Sequence, residues 1–443
     1  MTGLSARIAA SVASAPMAER RGRLVAFNGL VLECIGPDAR LGELCEVSTG
    51  PGEPPVPAEV VGFRDGRILL MPYGSLHGMS PDSLVRATGR SHMIPVGDSL
   101  LGRVVDAFCR PLDDRGPIIP QDRYPLYRTR INPLQRAEVD QVLETGVRVL
   151  DCLLTLGVGQ RVGVFAGSGV GKSTLLGMLA RHVRADVTVL ALIGERGREV
   201  GDFLHNALGP DGLRRSVVMV ATADEPALVR THAAHAAHAV AEYFRDHGKS
   251  VLLIVDSMTR FAMAQREVGL AVGEPPTFRG YTPSVFSQLP RLAERCGRLA
   301  GSGAISAVYS VLVEGDDLNE PVTDHMRAIL DGHVVLRREL AANGHFPAID
   351  PLLSVSRLMS QLVQGEERNL ADRARRTLST YEASRDLVEL GVHQRGSNPA
   401  LDLAVDLKPA LDRVLCQRPD ETCRRADAIE ALRAALRGGE DVA

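Results

Sequence analysis

The feature that most constrains this chain is the stretch RVGVFAGSGVGKST at residues 161–174, where an apolar run breaks into alternating glycines and ends in Gly171, Lys172 and Ser173. Residues 162–165 read as a buried strand. Leu175, Leu176, Met178 and Leu179 give the next segment a helical apolar face, so the glycines fall at a strand-to-helix turn. Gly167, Gly169 and Gly171 let the backbone bend until its N–H groups converge on phosphate oxygens, and the start of the helix adds partial positive charge. The cradle therefore runs from Gly167 through Ser168, Gly169, Val170 and Gly171 to Lys172, Ser173 and Thr174. Lys172 is placed to neutralise β- and γ-phosphates, and the Ser173 hydroxyl to ligate Mg²⁺. One position departs from the usual pattern: the opening glycine is replaced by Ala166. A glycine-rich turn that binds nothing is the bland alternative, and the agreement of strand, spacing, lysine and hydroxyl weighs against it.

The cradle belongs to a chain of 443 residues, long enough for roughly three domains. Lysine plus arginine (51) nearly balance aspartate plus glutamate (54), so no global charge argues for wrapping nucleic acid or lying on anionic lipid. Seven scattered cysteines without a C-x-x-C pair fit a reducing cytosol better than a disulfide framework or a zinc site. No apolar run approaches the roughly 18 residues that a membrane span needs.

Residues 1–22 form an alanine- and serine-rich arm, with Leu4, Ile8 and Val12 spaced for one face of a short helix that ends near Pro16. The arm is either disordered or a partner-binding helix; its apolar centre is too weak for a signal peptide. Residues 23–90 carry short β-rich runs at 24–27, 30–35, 59–63 and 67–71 between glycine and proline turns, which predict a small β-barrel. With only Phe27, Phe63 and Tyr73 as aromatics, this barrel reads as structural rather than as an oligonucleotide binder.

Residues 91–364 read as a P-loop α/β domain, with 91–145 as its lead-in. Apolar runs at 187–193, 216–221, 250–255 and 304–313 alternate with helical text, which calls for a largely parallel sheet covered on both faces. Residues 365–443 turn helical and charged, with 426–437 the clearest helix, and form a third, α-helical domain. The expected class is thus multidomain α/β: a small β-barrel, a P-loop α/β core, which the family resemblance given below implies is a RecA-like ATPase domain, and an α-helical C-terminal domain.

Further residues carry chemistry. Asp256 ends a buried strand, where it could hold a water of the Mg²⁺ shell; an N-cap or surface aspartate is the alternative. Glu195 ends another strand and could aim the attacking water, or be a solvated loop charge. Glu199, one turn on, is expected to face solvent or pair with an arginine. His232, His235 and His238 drift along one helix face, but a metal reading lacks a visible fourth ligand or second shell. The turn-rich segments 273–283 and 314–321 read, on physics alone, as solvated connectors.

Taken together, FAGSGVGKST (165–174), IGERGREV (193–200), DSMTRFAMAQRE (256–267), GEPP (273–276), FPAID (346–350) and SVSR (354–357) resemble the flagellum-specific protein-export ATPases. The resemblance spans about residues 22–440, and the related families are the injectisome type III secretion ATPases and the rotary ATP synthase subunits. It implies a homohexamer that uses ATP and Mg²⁺, with each nucleotide between neighbouring subunits. Glu195 aligns with the water-activating glutamate, Arg357 with an arginine reaching the neighbour's γ-phosphate, and Phe346 with an aromatic stacked on adenine. Ala166 matches the export branch.

The implied partners are a central coiled-coil stalk protein pushed by the 273–283 loop, a peripheral-stalk regulator met by the arm, the export gate membrane proteins, and export substrates with their chaperones. The implied location is the cytoplasmic side of the inner-membrane export apparatus. A ring nucleic-acid translocase is disfavoured by the neutral charge and the sparse barrel aromatics, so no nucleic acid is expected as a partner. Lys172 and Glu195 disfavour a non-catalytic ring subunit. The run ATADEPAL (221–228) favours the flagellar over the injectisome branch.

Overall fold

The computed structural model describes residues 19–50, 52–128 and 131–437. The proposed arm therefore lies outside the described residues up to residue 18, and Arg21 and Gly22 already belong to the first strand.

Six strands close a barrel: β1 (Arg21–Asn28), β2 (Val31–Ile35), β3 (Glu43–Val47), β4 (Val56–Arg64), β5 (Arg67–Pro72) and β6 (Leu84–Ser91). They pair in the order β1-β2-β5-β4-β3-β6, all antiparallel. Two of them, β3 and β6, went unread in the sequence because acidic and basic residues interrupt their apolar text. Cys45, Val47, Val85 and Ala87 nonetheless alternate inward and join Leu24, Leu32, Val60 and Leu70 in the barrel core, which is what closure requires. The barrel, with residues 267–274, is one compact unit; the chain from Ile94 onward apart from that segment is the other.

The second unit is built on a nine-stranded sheet among the described residues. Its main path uses β7 (Arg103–Val105), β8 (Arg161–Ala166), β9 (Val187–Glu195), β10 (Ser216–Thr222), β11 (Ser250–Asp256), β12 (Ala304–Leu312), β13 (Gly332–Leu336) and β14 (Ile349–Ser356), in the order β14-β13-β8-β12-β11-β9-β10-β7. All neighbours on this path are parallel except the edge pair β13–β14. β8 to β12 are nearly continuous apolar text because both faces are covered. β7 is an edge strand of the sheet, so the lead-in is part of the core architecture.

Helix α1 (Lys172–His182) follows the glycine turn and buries Leu175, Leu176, Met178 and Leu179. Helix α2 (Ala227–Asp246) is buried along almost its whole length. His238 lies inside it with Nε2 3.0 Å from the Tyr309 hydroxyl, and burial pushes its pKa down to about 3, so the ring is a neutral core group. His232 Nδ1 lies 3.0 Å from the Ala107 carbonyl.

At the C-terminal end, α4 (Gly365–Ala383), α5 (Pro399–Leu415) and α6 (Arg425–Arg437) follow α3 (Met258–Val272) in our numbering. Ala371, Ala374, Leu407, Leu411, Leu415 and Leu432 of these helices share one apolar core with Val149, Leu153, Leu179 and Ile349 of the nucleotide region.

Candidate active site

The glycine-rich turn expected to cradle phosphate lies where β8 ends and α1 begins. Val162, Val164 and Phe165 anchor the strand, and Ala166 places its methyl in the same core. That position is the buried last residue of β8, with its carbonyl accepting from Val313 N–H at 3.0 Å, so it has no need of a glycine. The glycines beyond it are needed. Gly169 and Gly171 have φ of +79° and +89°, a region that L side chains avoid. A Cβ on Gly167 would lie 2.6 Å from Asp316 Oδ1. Val170 is buried and pins the loop, while Ser168, Gly169, Ser173 and Thr174 are exposed toward a cavity of about 730 Å³. A concave, glycine-lined space at a helix N-terminus is the shape a triphosphate with its cation needs.

Three charged side chains converge at the floor of this space. Lys172 Nζ is hydrogen-bonded to Asp256 Oδ1 and stands 3.8 Å from Glu195 Oε1. Asp256 also accepts from the Ser310 hydroxyl and is buried at the end of β11. Glu195 ends β9 with its side chain only 12% exposed. Burial, a hydrogen bond with Glu199 and the charge of Asp256 raise its pKa to about 7, against the pull of Lys172 and Arg260. Glu199 is held below the usual carboxylate range, chiefly by its hydrogen bond with Glu195. Glu199 is exposed and stands 3.9 Å from Arg196, as expected, and it also lines the cavity.

Two arginines in this cavity were not singled out from sequence. Arg260, in the first turn of α3, lies 3.7 Å from Glu195 Oε1 and runs across Gly194, where a Cβ would meet its Cδ at 2.8 Å. Arg338 donates to the Ser168 carbonyl at 3.3 Å and pairs with Asp316 at 3.3 Å. Asp316 sits in segment 314–321, whose Glu314 and Gly315 line the cavity. That segment is thus part of the cavity wall rather than a solvated connector. Sequence holds a faint signal for it: three acids and a glycine directly after β12, at the carboxyl end of a parallel strand.

Phe346 is 43% exposed, with its ring 3.7 Å from where a Gly171 Cβ would stand, so it flanks the cradle. Arg357 is elsewhere. Its N–H donates to the Asp331 carbonyl at 3.0 Å, and its guanidinium is exposed and donates to the Arg327 carbonyl at 3.0 Å. Asp331 N–H in turn bonds the carbonyl of Arg161, the first residue of β8. Arg357 therefore stands at the end of the sheet where β8 begins, a strand's length from the cradle at its other end.

Comparison with known proteins agrees with this geometry. Residues 146–356 match the ATP synthase alpha/beta family nucleotide-binding domain, residues 24–89 its beta-barrel domain, and residues 363–434 the T3SS EscN ATPase C-terminal domain. The chain is 49% identical over 426 residues to the flagellum-specific ATP synthase of Bacillus subtilis, covering 96% of each chain. It is 46% identical over 421 residues to the type 3 secretion system ATPase of Xanthomonas euvesicatoria, covering 95% of each. Among solved structures, the assembled ATPase EscN of the enteropathogenic E. coli type III secretion system superposes with a TM-score of 0.88 at 42% identity, covering 94% of this chain and 100% of that one. EscN in complex with its central stalk EscO gives 0.86 at 41% identity, with the same coverage.

Proposed function

The chain belongs to the ATP synthase alpha/beta family, on its flagellar and type III secretion branch, and from that premise we propose that it hydrolyses Mg²⁺-ATP at sites shared between ring neighbours to energise export of flagellar proteins. The observation that carries the shared site is the separation inside one chain. Lys172, Glu195 and Asp256 meet at one end of the sheet, and Arg357, exposed, stands at the other.

In this reading the N–H groups from Gly167 to Thr174 and the Lys172 ammonium bind the triphosphate, which draws Lys172 from Asp256. Ser173 would ligate Mg²⁺ and Asp256 would hold a water of its shell; the cation would supply charge neutralisation at the transferring phosphoryl group. The glycine cradle and the hydroxyl–carboxylate set suit that cation, which prefers oxygen ligands. Glu195, as carboxylate, accepts a hydrogen bond from the attacking water and orients it, and Phe346 stacks on adenine. The neighbour's Arg357 meets the charge that develops on the γ-phosphate.

The ring is a homohexamer with a central coiled-coil stalk engaged by the 273–283 loop, a reading supported by the assembled EscN and EscN–EscO structures. Export-gate proteins, a peripheral-stalk regulator and substrate–chaperone complexes complete the partners, on the cytoplasmic face of the membrane. No helix among the described residues is long and apolar enough to cross that membrane. The 46% identity to an injectisome ATPase sustains the second reading, export of effectors by the same mechanism.

The test is complementation in trans. Lys172→Ala and Arg357→Ala should each be inactive, Arg357→Ala by about 10³-fold or more with ATP binding retained. In verified mixed rings of equal parts, about a quarter of interfaces regain both groups, so activity should return. If wild-type subunits diluted into dead ones remain active but the mixture of variants does not recover, the shared site is wrong.

A further inference from the structure

The segment 416–421 opens the connection, residues 416–424, between α5 and α6 of the C-terminal domain. In the structure it is gripped on several sides. Gln417 is 4% exposed, and every hydrogen-bonding group of its side chain is used. Its Oε1 accepts from Arg148 N–H at 2.8 Å, and its Nε2 donates at 2.8 Å to the carbonyls of Gly146 and Glu421. A glutamine so buried and so fully satisfied fixes its own backbone in space.

That backbone makes one further bond: Gln417 N–H donates to the carbonyl of Phe346 at 2.8 Å. The same segment holds the far end of the phosphate-loop helix, since Arg181 donates to the Pro419 carbonyl at 2.5 Å. Gly146 in turn packs so closely on α1 that a Cβ there would lie 2.6 Å from that of His182. The segment therefore touches the candidate site directly only through Phe346; its contacts with α1 lie at the last turn of that helix, away from the cradle.

We propose that Gln417 is a positioning residue for nucleotide binding: its side-chain bonds lock the 416–421 segment, whose N–H then holds Phe346 at the height where its ring meets the base. The C-terminal helices thereby set the affinity for the adenine half of the nucleotide separately from that for its phosphates. This rests on Phe346 being the adenine platform. The direction of control follows from geometry. Movement of α5 relative to the nucleotide region shifts Gln417 first, then the Phe346 carbonyl, with no direct contact to the cradle.

The experiment uses the full-length, assembled protein and four forms: wild type, Gln417→Leu, Phe346→Ala and the double variant. Titration calorimetry measures ADP and, as a base-free probe, inorganic tripolyphosphate, each with Mg²⁺; steady-state kinetics gives KM and kcat for ATP. Leucine keeps the volume but breaks three buried hydrogen bonds, so Gln417→Leu should weaken ADP about tenfold, leave tripolyphosphate within twofold, and raise KM far more than it alters kcat. In the Phe346→Ala background it should add nothing.

If Phe346→Ala weakens ADP and Gln417→Leu does not, or if their effects simply add, the positioning role falls while the platform stands. Equal loss of ADP and tripolyphosphate would overturn it too, by showing general damage to the site. No effect of Phe346→Ala on ADP would sink the platform, and the inference with it. Should Gln417→Leu fail to assemble, Gln417→Asn, which shortens the same amide by one methylene, is read by the same measurements with the same refuting results.

Discussion

Replacing Glu195 by glutamine should remove hydrolysis and at the same time stabilise the nucleotide-free protein, in a way that depends on pH. The structure holds this carboxyl in a pocket where burial comes first, then the hydrogen bond with Glu199 and the charge of Asp256, and raises its pKa from 4.5 to about 7. The sign follows from linkage. A carboxyl with a raised folded-state pKa binds its proton more tightly in the native state, so the contribution is present below about 4.5 and is lost as pH rises toward 7.

Taken alone, the raised pKa corresponds to at most about 3 kcal/mol above pH 7. The same interaction lowers the pKa of Glu199, which returns part of that cost. The net for the pair is therefore smaller than that ceiling. Glutamine stays neutral and can still donate to Glu199. The melting temperature of Glu195→Gln should therefore exceed that of wild type at pH 8, by about 3 °C at most for a chain of this length, with the gap closing toward pH 5. Scanning calorimetry of nucleotide-free protein across that range reads it directly, and a gap that is constant with pH, or reversed at pH 8, would refute the electrostatic account. Binding of ATP with no turnover is the companion result.

Two further outcomes follow from close contacts. Gly194→Ala, at φ +68° and with Arg260 Cδ 2.8 Å from the new methyl, should push Arg260 away from Glu195 and cut kcat at least tenfold while leaving ADP affinity near wild type; a stopped turnover with lost binding would place the damage in the cradle instead. Tyr309→Phe removes a fully buried hydroxyl that meets His238 Nε2 at 3.0 Å and Cys296 Sγ at 3.2 Å, and should cost about 1–3 kcal/mol in denaturant unfolding with little change in KM.

What the sequence determined by itself was whatever is written in a few consecutive residues. The cradle could be read because its requirements are local: glycines at fixed steps, a strand before, a helix after, then Lys172 and Ser173. The five central strands, β8 to β12, could be read because burial on both faces leaves unbroken apolar runs, and Glu195 and Asp256 because each ends such a run. β3 and β6 escaped because charged residues (Glu43, Glu46, Arg86 and Arg90) interrupt their apolar text, and β7 because three residues carry no period.

Tertiary structure alone decided which distant segments meet. Arg338 reaches Ser168 across 170 positions, and Gln417 holds the carbonyl of Phe346 from another domain's linker, so neither leaves a trace in local pattern. The same holds for the reach of Arg357. Its motif is visible in the chain, but only the register of β14 against β13 and of β13 against β8 puts it at the end of the sheet away from the cradle. The physical reason is one of range: periodicity and turn chemistry act over a few residues, whereas strand order is settled by burial and pairing summed over the whole sheet.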